Sequence, residues 1–277
     1  MENNKKKSGF SFFWHIPLII QVLIVAIPII FALVYSLKSM QDIYGGASIF
    51  NGGFSLDNFS LINCQLPILK IIGNTLFVAM MVTIFKLLTG TFAAYAFSFY
   101  DFPGKVPLYF LLISTIFIPF TVTMIPNYIT ISKLNLFDSV WGIILPQLAD
   151  ASGIFLLRQS MMSVPRSLTE MSELDDIGRM RTLKDIVFPI CRPSIVATGI
   201  IFFINSWNEY VWPALILRSK ENFTISLAMQ LFTDAEAGVE FTVTMAMAVV
   251  SMFLPVVLFL IFQKYIMSTF ATSGIKG

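Results

Sequence analysis

Six stretches of about twenty mostly apolar residues recur along the chain, and each is long enough for a helix to cross the hydrocarbon core of a bilayer. They run over 16–37, 71–99, 107–126, 140–162, 190–217 and 242–262. The rest of the composition agrees. Of 277 residues, 56% are hydrophobic and 12% charged, with a mean hydropathy of +0.80, whereas soluble domains carry about 25% charged residues. A soluble enzyme, a disordered chain and a coiled coil are disfavoured. The net charge of +2 leaves no nucleic-acid footprint. Two cysteines define neither a disulfide framework nor a metal site. The first stretch is too long for a signal peptide, and no small-residue cleavage site follows it. The expected fold is an all-α integral membrane protein with six transmembrane helices. Prolines 28, 119, 126, 146 and 255 are expected to kink or end spans, which membrane helices tolerate.

Basic residues orient the spans. With the N-terminus in the cytoplasm, Lys5, Lys6, Lys7, Lys105, Arg158, Arg166, Arg179, Arg181, Lys184, Arg192, Lys264 and Lys276 fall inside. Lys38, Lys70, Lys133, Arg218 and Lys220 fall outside, and Lys86 lies within a span. The bias of 12 to 5 predicts cytoplasmic termini. It makes residues 1–15 a cytoplasmic tail and 16–277 the membrane domain. Cys64 then lies outside and Cys191 at the inner face, so they cannot pair within one chain. The outer loop 218–240 leans acidic, with Glu221, Asp234, Glu236 and Glu240.

The most polar stretch is the cytoplasmic loop 163–192. Ser167 and Glu170 have the spacing of a capping box, in which each side chain satisfies an orphan N–H of the first helical turn. Leu168, Met171 and Leu174 recur at threes and form a short apolar stripe. Gly178 offers a stop, and a second helical run from Met180 to Phe188 is expected to end at Pro189. A helix of about two turns is not stable alone in water, so it packs either on its own membrane domain or on a cytoplasmic partner.

These residues carry a family likeness. The loop resembles the EAA loop of ABC importer permeases, with Pro165, Leu168, Glu170, Asp175, Ile186, Pro189 and Pro193 in register. Ser206-Trp207-Asn208-Glu209-Tyr210-Val211-Trp212-Pro213 is similar to a segment of the carbohydrate-uptake branch. So are Asn74-Thr75-Leu76, Ala93-Ala94-Tyr95-Ala96-Phe97, Phe102-Pro103-Gly104-Lys105, Ile125-Pro126, Phe155-Leu156-Leu157-Arg158-Gln159 and the closing Gly274-Ile275-Lys276-Gly277. Taken in order, these segments resemble the second permease of the pair, the MalG-like and glycerol-phosphate-type subunits. The family's Ala-Ala is Met171-Ser172 here, and its turn glycine is Asp176, a residue able to enter the left-handed region at a cost glycine avoids.

The resemblance implies a type I importer permease in a prokaryotic inner membrane, translocating a sugar or polyol phosphate by alternating access. It implies a coupling helix between spans four and five that fits a cleft of an ATPase. Pro165, Leu168, Glu170, Met171, Leu174, Asp175 and Gly178 would form that joint, with Glu170 as its polar contact. ATP and Mg²⁺ would belong to a separate ATPase dimer. This chain has no phosphate-binding loop of the Gly-x-x-x-x-Gly-Lys-Ser/Thr type, so no catalytic residue or cofactor is assigned to it. A second permease and an extracytoplasmic solute-binding protein are the other implied partners, the latter meeting the outer loop.

Within the membrane, Lys86 in span two costs at least a few kcal/mol on insertion scales. It either snorkels or lines a translocation path. Asp150, Asn205, Asn208 and Glu209 are the further path candidates. Trp207 and Trp212 read as interfacial anchors, with stacking on a sugar ring as the alternative, and His15 reads as interfacial. Three rivals remain: an ABC permease for another small solute, a secondary transporter coupling ions through Lys86 and Asp150, and a membrane anchor that conducts nothing. A secondary transporter predicts an inverted repeat, and none is evident.

Overall fold

A computed structural model describes residues 3–45, 53–233 and 241–274, with side chains for 15–43, 45, 53–233 and 241–264. Asp234, Glu236 and Glu240 of the outer loop, and the closing 275–277, lie outside the described residues. In chain order the helices are α1 (Asn3–Ser36), α2 (Met40–Tyr44), α3 (Asp57–Gln65), α4 (Ile68–Phe99), α5 (Lys105–Ser114), α6 (Phe120–Lys133) and α7 (Val140–Ile144). They continue as α8 (Ala151–Met161), α9 (Arg166–Leu174), α10 (Arg179–Thr182), α11 (Phe188–Asn208), α12 (Val211–Ile216), α13 (Ile225–Thr233) and α14 (Phe241–Gly274). No strand occurs among the described residues.

Four helical stretches are long and apolar enough to span a bilayer: His15–Ser36, Ile68–Phe99, Arg179–Asn208 and Phe241–Lys264. Two bent pairs bring the number to six if each pair is one span. The stretches expected as spans three and four are these two bent pairs, broken at or beside Pro119 and Pro146, two of the prolines expected to kink or end spans. The third bends by 98° between Phe117 and Phe120, and the fourth by 48° between Gln147 and Ala151. Pro119 cannot donate to a helix ladder and sits at the first break in an extended conformation. Pro146 lies in the 3-10 turn Leu145–Gln147 that leads into the second break. The fifth span ends at Asn208 rather than Leu217, because Glu209 is extended and the short α12 follows. The run expected to stop at Pro189 instead enters α11 through the π-helical turn Leu183–Val187. Pro189 comes directly after that π-helical turn, inside the continuous stretch Arg179–Asn208.

The chain forms two compact units. In the first, residues 1–66 and 229–253, the end of α1 is held by Asn58. Its Nδ2 donates to the carbonyls of Ser36 and Lys38, both at 2.8 Å, and its Oδ1 accepts from Thr242 at 3.0 Å. The bond to Ser36 satisfies a carbonyl that the helix end leaves unpaired, and the bond to Lys38 holds the turn after it.

The second unit, residues 67–228 and 254–277, is built around α4, with α8 and α11 packed along it. In hydrocarbon, helix association gains from close packing rather than from transfer out of water, and small residues permit that approach. Gly153 is such a place: a Cβ there would overlap the Phe202 ring of α11. One end of this bundle is closed by a buried cluster that includes Ala94, Leu157, Met161, Val187 and Ile195.

Asp138, between α6 and α7, ties that connection to the turn after α12. Its carboxylate accepts from the backbone N–H of Arg218 and Ser219, both at 2.9 Å, and from the Ser219 hydroxyl. Trp207 and Trp212 are buried inside the protein, not set at its surface as anchors. Trp212 Nε1 donates to the Gly142 carbonyl at 3.1 Å, so its polar atom is spent on packing α12 against α7.

Candidate functional site

The breaks in spans three, four and five meet around one cleft of about 640 Å³. Irregular backbone at membrane depth is tolerated where it lines a cavity or is buried in protein, and broken spans expose polar groups there. Lys86 reaches the cleft from α4. Its Nζ lies 3.3 Å from Asp150 Oδ2, with side chains 14% and 28% exposed. It also lies 5.3 Å from the centre of the Phe202 ring. Asp150 is placed by its role as N-cap of α8. Its Oδ1 accepts from Gly153 N at 3.0 Å and from the Ser152 hydroxyl. One carboxylate therefore caps a helix with one oxygen and pairs with Lys86 through the other. Glu209, at the end of span five, accepts hydrogen bonds from Gln147 and from the Trp212 backbone, and stands within electrostatic reach of Lys86.

Of the five path candidates, Lys86, Asp150 and Glu209 line this cleft, and Asn205 and Asn208 do not. Asn208 bonds back to the Ile204 carbonyl at 2.9 Å, and both asparagines are exposed on α11. Sequence reasoning missed Gln147, Thr123 and Asn127 of the cleft wall. The signal available was their closeness to Pro146, Pro119 and Pro126, where a broken span turns polar side chains inward.

The loop 163–192 folds as a helix, a turn and a second helix. α9 begins at Arg166 with Pro165 as its N-cap, and no side chain caps it. The capping box of Ser167 and Glu170 does not form. Ser167 already lies inside the helix, and the cap position is a proline, which has no N–H for a glutamate to reach. The far end is a Schellman motif. Ile177 N donates to Ser172 O at 2.8 Å and Asp176 N to Glu173 O at 3.2 Å. Asp176 adopts φ +54°, in the left-handed region that glycine enters without strain. The stop is therefore Asp175–Asp176, and Gly178 instead begins α10 with an ordinary extended backbone.

α9 turns two faces outward and inward. Ser172 is buried, and its hydroxyl meets that of Thr182 at 3.0 Å. Leu168, Met171 and Leu174 are 36%, 60% and 87% exposed. The apolar stripe has no cover among the described residues. The turn after it is fixed to α4: the Tyr95 hydroxyl donates to the Arg179 carbonyl at 3.1 Å and accepts from Tyr100 at 2.9 Å. The Arg179 guanidinium lies 4.7 Å from the centre of the Tyr100 ring. Among the described residues no group of three or more His, Cys, Asp or Glu is placed to hold a metal ion.

Residues 86–270 match the family model described as "Binding-protein-dependent transport system inner membrane component". Among curated proteins, the chain is similar to the sn-glycerol-3-phosphate transport system permease protein UgpE of Yersinia pestis biovar Antiqua. The two are 30% identical over 269 residues, covering 94% of this chain and 96% of that protein. A bacterial ABC transporter involved in import of the acidic polysaccharide alginate contains a chain with the same fold. Its TM-score is 0.79 at 21% identity, over 94% of this chain and 97% of that one. The alginate transporter solved with an alginate pentasaccharide-bound periplasmic protein matches at TM-score 0.65 and 15% identity, over 94% and 93% of the two chains.

Proposed function

The chain belongs to the binding-protein-dependent transport system inner membrane components, and from that premise we propose how its cleft and its cytoplasmic helix are used. It is a membrane-spanning subunit of a binding-protein-dependent importer. In our reading the cleft of Lys86, Asp150 and Glu209 is this chain's wall of the solute path. The observation that supports it most is the meeting of three broken spans at a polar cleft with an ion pair inside. Intramembrane ionisable groups are expensive and are retained mainly along substrate or ion pathways.

The solute in this reading is a sugar or a related polyol phosphate. The charge of the cleft bears on which. Lys86, Asp150 and Glu209 sum to one negative charge when all are ionised. That balance repels a phosphate ester and leaves carboxylates as acceptors for the hydroxyl groups of a neutral polyol.

Leu168, Met171 and Leu174 form the face that an ATPase subunit covers, and Glu170 is the polar contact beside it. The support is an exposed apolar stripe on a helix too short to stand alone in water, with its turn tied to α4 through Tyr95 and Tyr100. Domain closure in the ATPase would then move α4 and α11 as a lever and alternate the access of the cleft. A second permease, an ATPase dimer holding ATP and Mg²⁺, and an extracytoplasmic solute-binding protein complete the importer, with both termini of this chain in the cytoplasm. Pro165 and Asp175 serve the joint by shaping the two ends of α9, and Gly178 by starting α10.

The test is purification of the tagged chain from its native cells in mild detergent, with mass-spectrometric identification of its companions, followed by uptake in proteoliposomes. Recovery of a phosphate-loop ATPase and a second multispan chain, with ATP-driven uptake of a neutral sugar, is the expected result. A chain that emerges alone, under conditions where a known importer stays intact, overturns the reading.

A further inference from the structure

We infer that this chain carries a binding site for the phosphate headgroup of an anionic phospholipid, formed by Lys105, Arg158 and Arg166. The three lie on different elements, the start of α5, the last turn of α8 and the start of α9, and together line a pocket of about 150 Å³. It is separate from the cleft between the broken spans.

The charges of the pocket are partly spent, and the remainder sets its preference. Lys105 Nζ donates to the Tyr100 carbonyl at 2.7 Å and to Asp101 Oδ1 at 3.1 Å. Asp101 is almost wholly exposed, so that pair is screened by water. Arg158 Nε donates to the Phe97 carbonyl at 3.4 Å, and its guanidinium stacks 4.2 Å from the centre of the Tyr109 ring. Stacking fixes the plane of the fork and leaves its outer N–H groups for an anion. Neither Arg158 nor Arg166 has a carboxylate within salt-bridge distance among the described residues. Arg166 also borders the neighbouring cleft that holds Glu170 and Glu173. Counting Asp101 against the three cations leaves an excess of two positive charges in the pocket, and guanidinium groups bind phosphate oxygens in bidentate geometry.

Two sources could supply such a phosphate, a lipid or a free ion. The surroundings favour the lipid. Directly beyond Lys105, α5 exposes an apolar flank, with Val106 78% and Phe110 69% exposed. Met162, itself a wall of the pocket, is exposed as well. A basic pocket at the edge of an apolar face is where headgroup and acyl chains separate.

The experiment uses the chain purified with its associated subunits and reconstituted in phosphatidylethanolamine–phosphatidylglycerol vesicles. Native mass spectrometry then counts the lipids that survive detergent washing. Wild type is expected to keep phosphatidylglycerol in preference to phosphatidylethanolamine. Arg166→Gln is expected to lower that retention about fivefold, as one basic residue near a membrane surface contributes. Arg158→Gln lowers it further, and Arg166→Lys retains most of it. Arg166 is exposed and has no carboxylate partner among the described residues, so it reports even if Arg158→Gln fails to assemble. Equal phosphatidylglycerol retention by wild type and Arg166→Gln overturns the proposal. So does binding of inorganic phosphate to the wild type in phosphatidylethanolamine-only vesicles, if that binding also displaces phosphatidylglycerol from the mixed ones.

Discussion

Lys86 Nζ and Asp150 Oδ2 lie 3.3 Å apart and join the middle of α4 to the break in the fourth span. The same carboxylate caps α8 through Gly153 N, so charge and cap can be separated by substitution. Asparagine is as good an N-cap as aspartate, whereas alanine costs about 1 kcal/mol at such a position. Asp150→Asn is expected to keep the cap but to lose uptake, because Lys86 loses its closest counter-charge in the cleft. Asp150→Ala is expected to lose about 1 kcal/mol more stability than Asp150→Asn. Uptake in proteoliposomes and thermal unfolding of the purified complex read the two effects. Normal uptake by Asp150→Asn would remove the pair from the transport path.

The outward stripe of α9 gives the opposite separation. Leu174 is 87% exposed and Met171 60%, so changing either leaves the chain's own packing intact. Leu174→Asp is expected to alter stability by no more than about 0.5 kcal/mol, as exposed positions generally do. ATP-driven uptake is expected to fall at least tenfold, since a charge would be buried against the ATPase. Unchanged uptake would leave the stripe without a partner and sink the lever.

Asp176 stands at φ +54° in the Schellman turn that closes α9. A left-handed backbone costs an L-residue roughly 1–2 kcal/mol, and glycine avoids it. Asp176→Gly is expected to tighten the turn by about 1 kcal/mol, read as roughly fivefold slower hydrogen exchange at the Ile177 amide that donates to Ser172. Equal or faster exchange would mean that the aspartate side chain offsets its own strain.

How much of this was legible in the sequence differs between elements, for physical reasons. Apolar length located the spans, because a bilayer imposes a minimum that periodicity does not need to refine. The turn at Asp176 was legible only through the resemblance, whose turn glycine it replaces, because the residues alone pointed to Gly178 as the stop. The bends at 118–119 and 148–150 were only half legible. Proline marks where a helix can break, but the angle of 98° or 48° depends on what packs around it. The pairing of Lys86 with Asp150 could not be read, since 64 residues separate them and register between two helices is a tertiary fact. The capping box failed for a local reason. Its spacing was right, but helix α9 starts two residues earlier, against a proline. Asn205 and Asn208 were placed on the correct helix and the wrong face, since a span buried on several sides shows no polar stripe to orient it.

Asp138 supplies a prediction in pH. Burial raises the cost of its charge, but the Ser219 hydroxyl and the backbone N–H groups of Arg218 and Ser219 outweigh that cost and hold its carboxyl down at about 2, against 3.8 for a free group. A carboxylate with a depressed value stabilises the folded loop fully above its unfolded value and loses that contribution as pH falls through the folded one. The connection between α6 and α7 is therefore expected to stay anchored to the turn after α12 down to about pH 4, and to come loose between about 3.8 and 2. Asp138→Asn, which accepts fewer hydrogen bonds and carries no charge, is expected to show the loosened state already at pH 7. Hydrogen exchange at the Arg218 and Ser219 amides, each rate divided by the intrinsic rate at the same pH, reads the change. Wild-type normalised rates that rise only below about pH 4, and a variant whose normalised rate is high and flat across the range, are the expected pair. A variant with the same pH profile as the wild type would show that some other group holds the turn.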